Sequence, residues 1–138
     1  MMKKVFVDTN FIIDLVARPE LSPVVKEVLT RGREHKIKFS LCFLSLANYC
    51  YIDRRQSREK LYENLQMFCS VFEVIPNTQQ NIINSISLNP KDFEDAIQYT
   101  TALEEKCDCI ITRNKKDFME FSQIPVFTPL EFLQEIQD

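Results

Sequence analysis

Any catalysis in this chain has to run on carboxylates. Its 138 residues include one histidine, His35, and one glycine, Gly32. Paired-histidine nucleases, histidine-rich metal sites, P-loops and dinucleotide cradles are therefore excluded. His35 lies in the charged run RGREHK, a poor setting for the middle member of a Ser-His-Asp triad. The acids and amides stand at more telling places. Asp8 follows Val5-Phe6-Val7 directly, Asp92 and Asp95 are three apart, and Asn114 and Asp117 follow Cys109-Ile110-Ile111-Thr112. Spacing of three puts Asp92 and Asp95 on one helix face, with Glu94 pointing elsewhere. An acid beside Ala96-Ile97 is half buried and needs a partner or an ion. Acids converging without a cation raise one another's pKa. Mg²⁺, or Mn²⁺, relieves that with oxygen ligands and retained waters. Such an ion activates water and polarises a phosphodiester. Each residue also has a plainer reading as a helix cap: Asp8 or Asn10 for the first helix, Asp92 in a first turn, Asn114 and Asp117 for a short late helix.

The elements that must position these groups alternate along the chain. Val5-Phe6-Val7 reads as a buried strand, followed at once by a helix. Ser22 and Pro23 read as N-cap and N1 of a helix over 22–34. Residues 37–43 form a strand, and Ser45 caps a helix over 46–55. Ser57 opens a helix over 58–70, with Leu61, Leu65, Phe68 and Cys69 inward. Residues 71–75 form a strand, and a helix follows to Leu88 with Ile82, Ile83 and Ile86 inward. Asn89 reads as N-cap and Pro90 as N1 of the next helix, which buries Phe93, Ala96, Ile97, Thr100, Leu103 and Cys107. A strand over 109–112, a short helix over 116–121, a strand at Val126-Phe127 and a helix over 129–136 complete the chain. Strands alternating with helices imply an α/β fold, a central parallel sheet of four to five strands covered on both faces. Asp8 and Thr112 then leave the sheet at the edge where such folds bind ligands. No linker or repeat interrupts the pattern, so residues 1–138 read as one domain.

Bulk properties narrow the partners. Hydrophobic residues make up 45% and charged residues 27%, as in ordinary soluble domains, and the net charge is −3. That balance carries no general nucleic-acid footprint, so such a partner must be held locally or through a metal. Arg54, Arg55, Arg58 and Lys60 form one basic cluster and Arg113, Lys115 and Lys116 another. Each reads either as a solvated face or as phosphate-positioning groups. Tyr49 and Tyr51 read as base-stacking groups or as core. No apolar run is long enough to span a bilayer, and no signal peptide is evident. Five cysteines without C-x-x-C spacing fit a reducing cytoplasm.

Three stretches, V-F-V-D-T-N at 5–10, D-F-E-D-A-I-Q-Y at 92–99 and I-I-T-R-N-K-K-D-F at 110–118, resemble the PIN-domain ribonucleases, specifically the VapC-type toxins of bacterial toxin–antitoxin pairs. The resemblance runs over essentially the whole chain. It implies a three-layer PIN-like fold, a magnesium-dependent endoribonuclease, an RNA substrate, a homodimer and an antitoxin that blocks the site. By position it assigns Asp8, Asp95, Asn114 and Asp117 to catalysis, with Asp8 and Asp95 on the metal; Asp92, by its direction, is the acid that joins them there in compensation for a missing glutamate. Asn10, Asn48, Thr112, Arg113 and Lys116 fall on the substrate side. The chain departs from the family where a glutamate is usual on the helix after the second strand: it has Ser45-Leu46-Ala47-Asn48. Asn48, taken as the replacement, orients a water or phosphate but adds no charge. That departure keeps a second reading in play, a PIN-like module that binds RNA or protein without cleaving. A phospho-acceptor receiver domain fits less well, because the third strand ends in Pro76-Asn77 and the last in Thr128-Pro129, without the acceptor aspartate and the lysine it needs.

Overall fold

The computed structural model describes residues 1–137. Its centre is β1 (Lys4–Val7), paired in parallel with β2 (Lys38–Cys42) on one side and β4 (Cys109–Ile111) on the other. Outside them lie β3 (Glu73–Ile75) and β5 (Val126–Phe127), also parallel, giving the order β3-β2-β1-β4-β5. Successive strand residues face opposite sides of the sheet. Val5 and Val7 accordingly enter one core, with Phe39, Leu41, Cys109 and Ile111, while Phe6 enters a second, with Cys42 and Ile110. The first core is closed by α1 (Thr9–Ala17), α2 (Ser22–Glu34), α3 (Phe43–Ile52), α4 (Arg58–Val71) and α8 (Pro129–Glu135). The second is closed by α6 (Phe93–Glu104) and α7 (Lys116–Met119). The result is the three-layer PIN-like α/β arrangement, with a five-stranded parallel sheet between helices.

Several expected boundaries move, each for a local reason. The α3 helix starts at Phe43, so Ser45 lies inside it, buried, with its hydroxyl 2.8 Å from that of Thr9. The early start is possible because Asn77 Oδ1 accepts from the Leu44 amide at 2.8 Å and satisfies a donor that a local cap would otherwise take. The α2 cap position is Leu21; the Ser22 hydroxyl donates instead to the Leu15 carbonyl. Asn89 and Pro90 do not open α6. Asn89 ends the preceding turn with φ 50°, a conformation asparagine tolerates, and Asp92 is the N-cap.

The helix α5 (Gln79–Ser87) faces the other way from the expectation. Ile82, Ile83 and Ile86 are exposed, and the inward side is polar. Asn81 donates to Glu104, and the Ser85 and Thr100 hydroxyls lie 3.0 Å apart. A buried hydrogen-bonded seam to α6 thus replaces an apolar one. Phe93 and Leu103, expected inward, are also substantially exposed, and so is Cys69 of α4.

Candidate active site

Asp8 stands where β1 becomes α1, and its carboxylate is used twice. Oδ1 accepts from the Phe11 amide at 3.1 Å, so the residue is the α1 N-cap. Oδ2 accepts from the Thr112 hydroxyl at 2.7 Å. Thr112 is delivered to that spot by the sheet register: the Asp8 amide donates to Ile111 O and the Thr112 amide to Phe127 O, both at the same strand ends. The Thr112 hydroxyl in turn accepts from the Asn114 amide at 3.0 Å. The capping and site readings of Asp8 are thus compatible. Two bonds leave carboxylate lone pairs free, and Asp8 still lines an open hollow of about 320 Å³.

The opposite wall comes from α6. Asp92 Oδ1 accepts from the Asp95 amide at 3.0 Å, a cap that starts the helix so that Glu94 and Asp95 occupy its first turn. Asp95 and Glu94 both line the hollow. The expectation that Glu94 points away is therefore corrected: its longer side chain reaches the hollow and is held there by Asn48. Asp92 is exposed and lies outside the hollow lining, and its cap bond uses one carboxylate oxygen. Gln98, a turn beyond Asp95, is buried with Oε1 accepting from the Thr9 amide at 3.0 Å. Sequence reasoning passed over Gln98, although its spacing of three from Asp95 is the signal that it shares that face.

The third wall is α3. Asn48 lines the hollow and its Nδ2 donates to Glu94 Oε2 at 3.2 Å, bridging α3 to α6 across the mouth. Tyr51 and Ile52 complete that side. Asn10 belongs to the lining as well; its Oδ1 accepts from Arg113 Nη2 at 3.4 Å. Arg113 is braced from below by Asp14, whose Oδ2 accepts from Nε at 2.9 Å. Asp14 is 3% exposed and lies 3.2 Å from Arg18 as well. Asp14 was also missed; a charge inside the apolar run FIIDLV was the available sign. Asn114, Asp117 and Lys116 stand just outside the hollow at the start of α7, the last two exposed.

Within the hollow lining, electrostatics single out two acids. Burial pushes the Asp8 carboxyl up to about 6, against the bonds from Thr112 and Phe11 that favour its charge. Asp95 rises to about 7, first through burial and then through the charges of Asp92, Asp117, Asp8 and Glu94. Asp117 therefore acts on the site through its charge from outside the lining. Among the described residues no three His, Cys, Asp or Glu side chains are close enough to cage an ion by themselves. Two carboxylates flanked by amide oxygens still suit Mg²⁺, which commonly takes one or two carboxylates and keeps several waters.

Comparison with known proteins identifies the family and the fold. The PIN domain family model matches residues 4–116. Ribonuclease VapC1 of Aquifex aeolicus (strain VF5) is 26% identical over 144 residues, covering 96% of this chain and 94% of the relative. Among solved structures, VapBC-1 from nontypeable Haemophilus influenzae superposes with a TM-score of 0.73 at 16% identity, over 92% of this chain and 98% of that one. A toxin–antitoxin complex from Klebsiella pneumoniae gives 0.67 at 26% identity, over 91% and 97%. With its family model spanning most of the length and its acids gathered at one end of a parallel sheet, this chain belongs to the PIN domain family.

Proposed function

We propose that the chain is a single-domain, metal-dependent endoribonuclease that hydrolyses RNA phosphodiester bonds as the toxin of a toxin–antitoxin pair in the cytoplasm. The observation that carries this reading is the meeting of Asp8 and Asp95 in one hollow, with both carboxyls raised by burial and that of Asp95 raised further by the surrounding acids, Asp8 among them. An arrangement that is costly when empty of cations is the arrangement a divalent ion stabilises. The donor set is all oxygen, which fits Mg²⁺, with Mn²⁺ as the alternative, and does not fit a thiolate- or imidazole-seeking metal. The bound ion would supply a Lewis acid at the phosphate and a more acidic water.

The chain's own residues have distinct tasks in this reading. Asp8 and Asp95 hold the ion, and Thr112 and the Phe11 amide fix the Asp8 carboxylate in one orientation. Glu94, tethered by Asn48, supplies the third negative group of the hollow from α6, in place of one on α3. Gln98 ties α6 to the start of α1, keeping the two carboxylate walls in register. Arg113, held by Asp14, presents its guanidinium beside Asn10 for a strand phosphate. Asn114, Asp117 and Lys116 act from the rim.

The partners belong to the same proposal. The Aquifex relative is named a ribonuclease, and the Klebsiella structure is a toxin–antitoxin complex; these names support an RNA substrate and an antitoxin here. A homodimer is supported by the exposed Ile82, Ile83 and Ile86 on α5, an apolar face that a second copy would bury. No described helix is long and apolar enough to cross a membrane. Asn48 favours a second reading, a PIN-like module that binds without cutting. The deciding experiment incubates purified protein with RNA and Mg²⁺. Cleavage that stops with EDTA and returns with Mg²⁺ sustains the enzyme; intact RNA at all metal concentrations leaves the binding module.

A further inference from the structure

The helix α3 offers two tyrosines, and the structure separates them completely. Tyr49 is 0% exposed, its ring edge-on to Phe68 at 5.1 Å and its hydroxyl between Asp53 and Asn64. Tyr51 is 67% exposed, with Ile52 beside it at 51%, and both line the acidic hollow. The ring is also held. The Arg54 guanidinium, in the turn after α3, lies 4.3 Å from the ring centroid, and its Nη1 donates to the Tyr51 carbonyl at 2.8 Å. A ring stacked on one side by a guanidinium offers its other side to a flat partner.

We propose that Tyr51, backed by Arg54, is a stacking platform for an unpaired nucleobase of the RNA. This rests on the ribonuclease reading of the same hollow. The hollow has carboxylates on its α1 and α6 walls and an aromatic–aliphatic pair on its α3 wall. A nucleotide has the same division, a phosphate that an ion would bridge to the acids and a base whose face is apolar. In a duplex the base faces are covered by their neighbours, so only a single strand can use the ring. The need for such a contact is physical. With a net charge of −3, the chain lacks the broad positive field that supplies most affinity in basic nucleic-acid binders. Stacking adds affinity without charge and tolerates any base sequence.

The test measures binding separately from cleavage. Asp8→Asn serves as the parent, and fluorescence anisotropy follows a labelled ten-nucleotide RNA and its duplex with the complement. Tyr51→Ala should weaken single-strand binding about 5- to 100-fold, the range expected for one lost base stack. Tyr51→Phe should bind like the parent, and the duplex should bind more weakly than the single strand and be indifferent to Tyr51→Ala. Thermal unfolding of Tyr51→Ala should match the parent closely, because the ring is mostly exposed. Unchanged single-strand affinity in Tyr51→Ala, no single-strand binding by the parent, or equal affinity for the duplex overturns the platform. Wild-type cleavage of RNA with Mg²⁺ that is unmoved by Tyr51→Ala removes the platform and keeps the nuclease. Absence of that wild-type cleavage removes the nuclease itself.

Discussion

Asp95→Asn should make the metal-free protein more stable above neutral pH. The carboxyl titrates at about 7 in the fold against an ordinary 3.8. Between those values the native state holds a proton that the unfolded chain has released. Stability must therefore fall as pH rises from about 4 through about 7, and the loss is complete above that window. One pH unit of displacement corresponds to ~1.4 kcal/mol, which sets a ceiling of ~4 kcal/mol. Asp95 is only half buried, and solvent screening brings the expected gain to ~1–2 kcal/mol. Asparagine keeps the shape and removes the charge. For a domain of this length that is a Tm increase of roughly 3–7 °C at pH 8, shrinking as pH falls toward 4. The assay is thermal unfolding followed by circular dichroism after EDTA treatment, at several pH values. Adding Mg²⁺ should then raise the Tm of the parent more than that of the variant. A variant no more stable than the parent at pH 8 would refute the idea that Asp95 sits among uncompensated charge.

Three further outcomes follow from separate parts of the molecule. A Cβ on Gly32 would sit 2.3 Å from the tip of the buried Phe39 ring, which packs against Phe132, so Gly32→Ala should cost ~1–3 kcal/mol in urea unfolding. Asp14→Ala leaves Arg113 and Arg18 without their shared carboxylate. Because both arginines are partly exposed, the loss should be ~2 kcal/mol, below the range for fully buried pairs, and RNA binding should weaken as Arg113 loses its brace. Glu94→Gln should reduce Mg²⁺ affinity, read by calorimetry, and cleavage by about tenfold or more, the usual scale for groups supporting a metal site.

The architecture was legible because each strand is a short apolar run bounded by polar residues. Asp8 was conspicuous for the same reason, a charge directly ending such a run. The helix starts were harder to read. Asn89-Pro90 and Asp92 both carry capping chemistry, and the left-handed turn at Asn89 together with the Asp92 cap bond decides between them; spacing alone does not show that Glu94, beside Asp95, also reaches the hollow. The isoleucines of α5 have helical spacing, which defines a face without saying what it meets. Here Asn81, Ser85, Thr100 and Glu104 form the internal seam and the apolar face is left outside. Tyr49 and Tyr51 are two apart on one helix and so lie on different sides, but their roles depend on α4 packing over one of them. The Asp14–Arg113 pair spans 99 positions and is created by strand order, so local spacing holds no trace of it.

In the proposed function Asp8, near the start of the chain, and Asp95, on a late helix, make one metal-dependent cutting centre. Its most direct test is the Mg²⁺-dependent cleavage rate of RNA by wild type, Asp8→Asn and Asp95→Asn, with circular dichroism confirming the fold of each. Wild-type cleavage lost by at least a hundredfold in both folded variants is the predicted result, the scale of removing a group that stabilises the transition state. Cleavage that persists at the wild-type rate in either variant would contradict it.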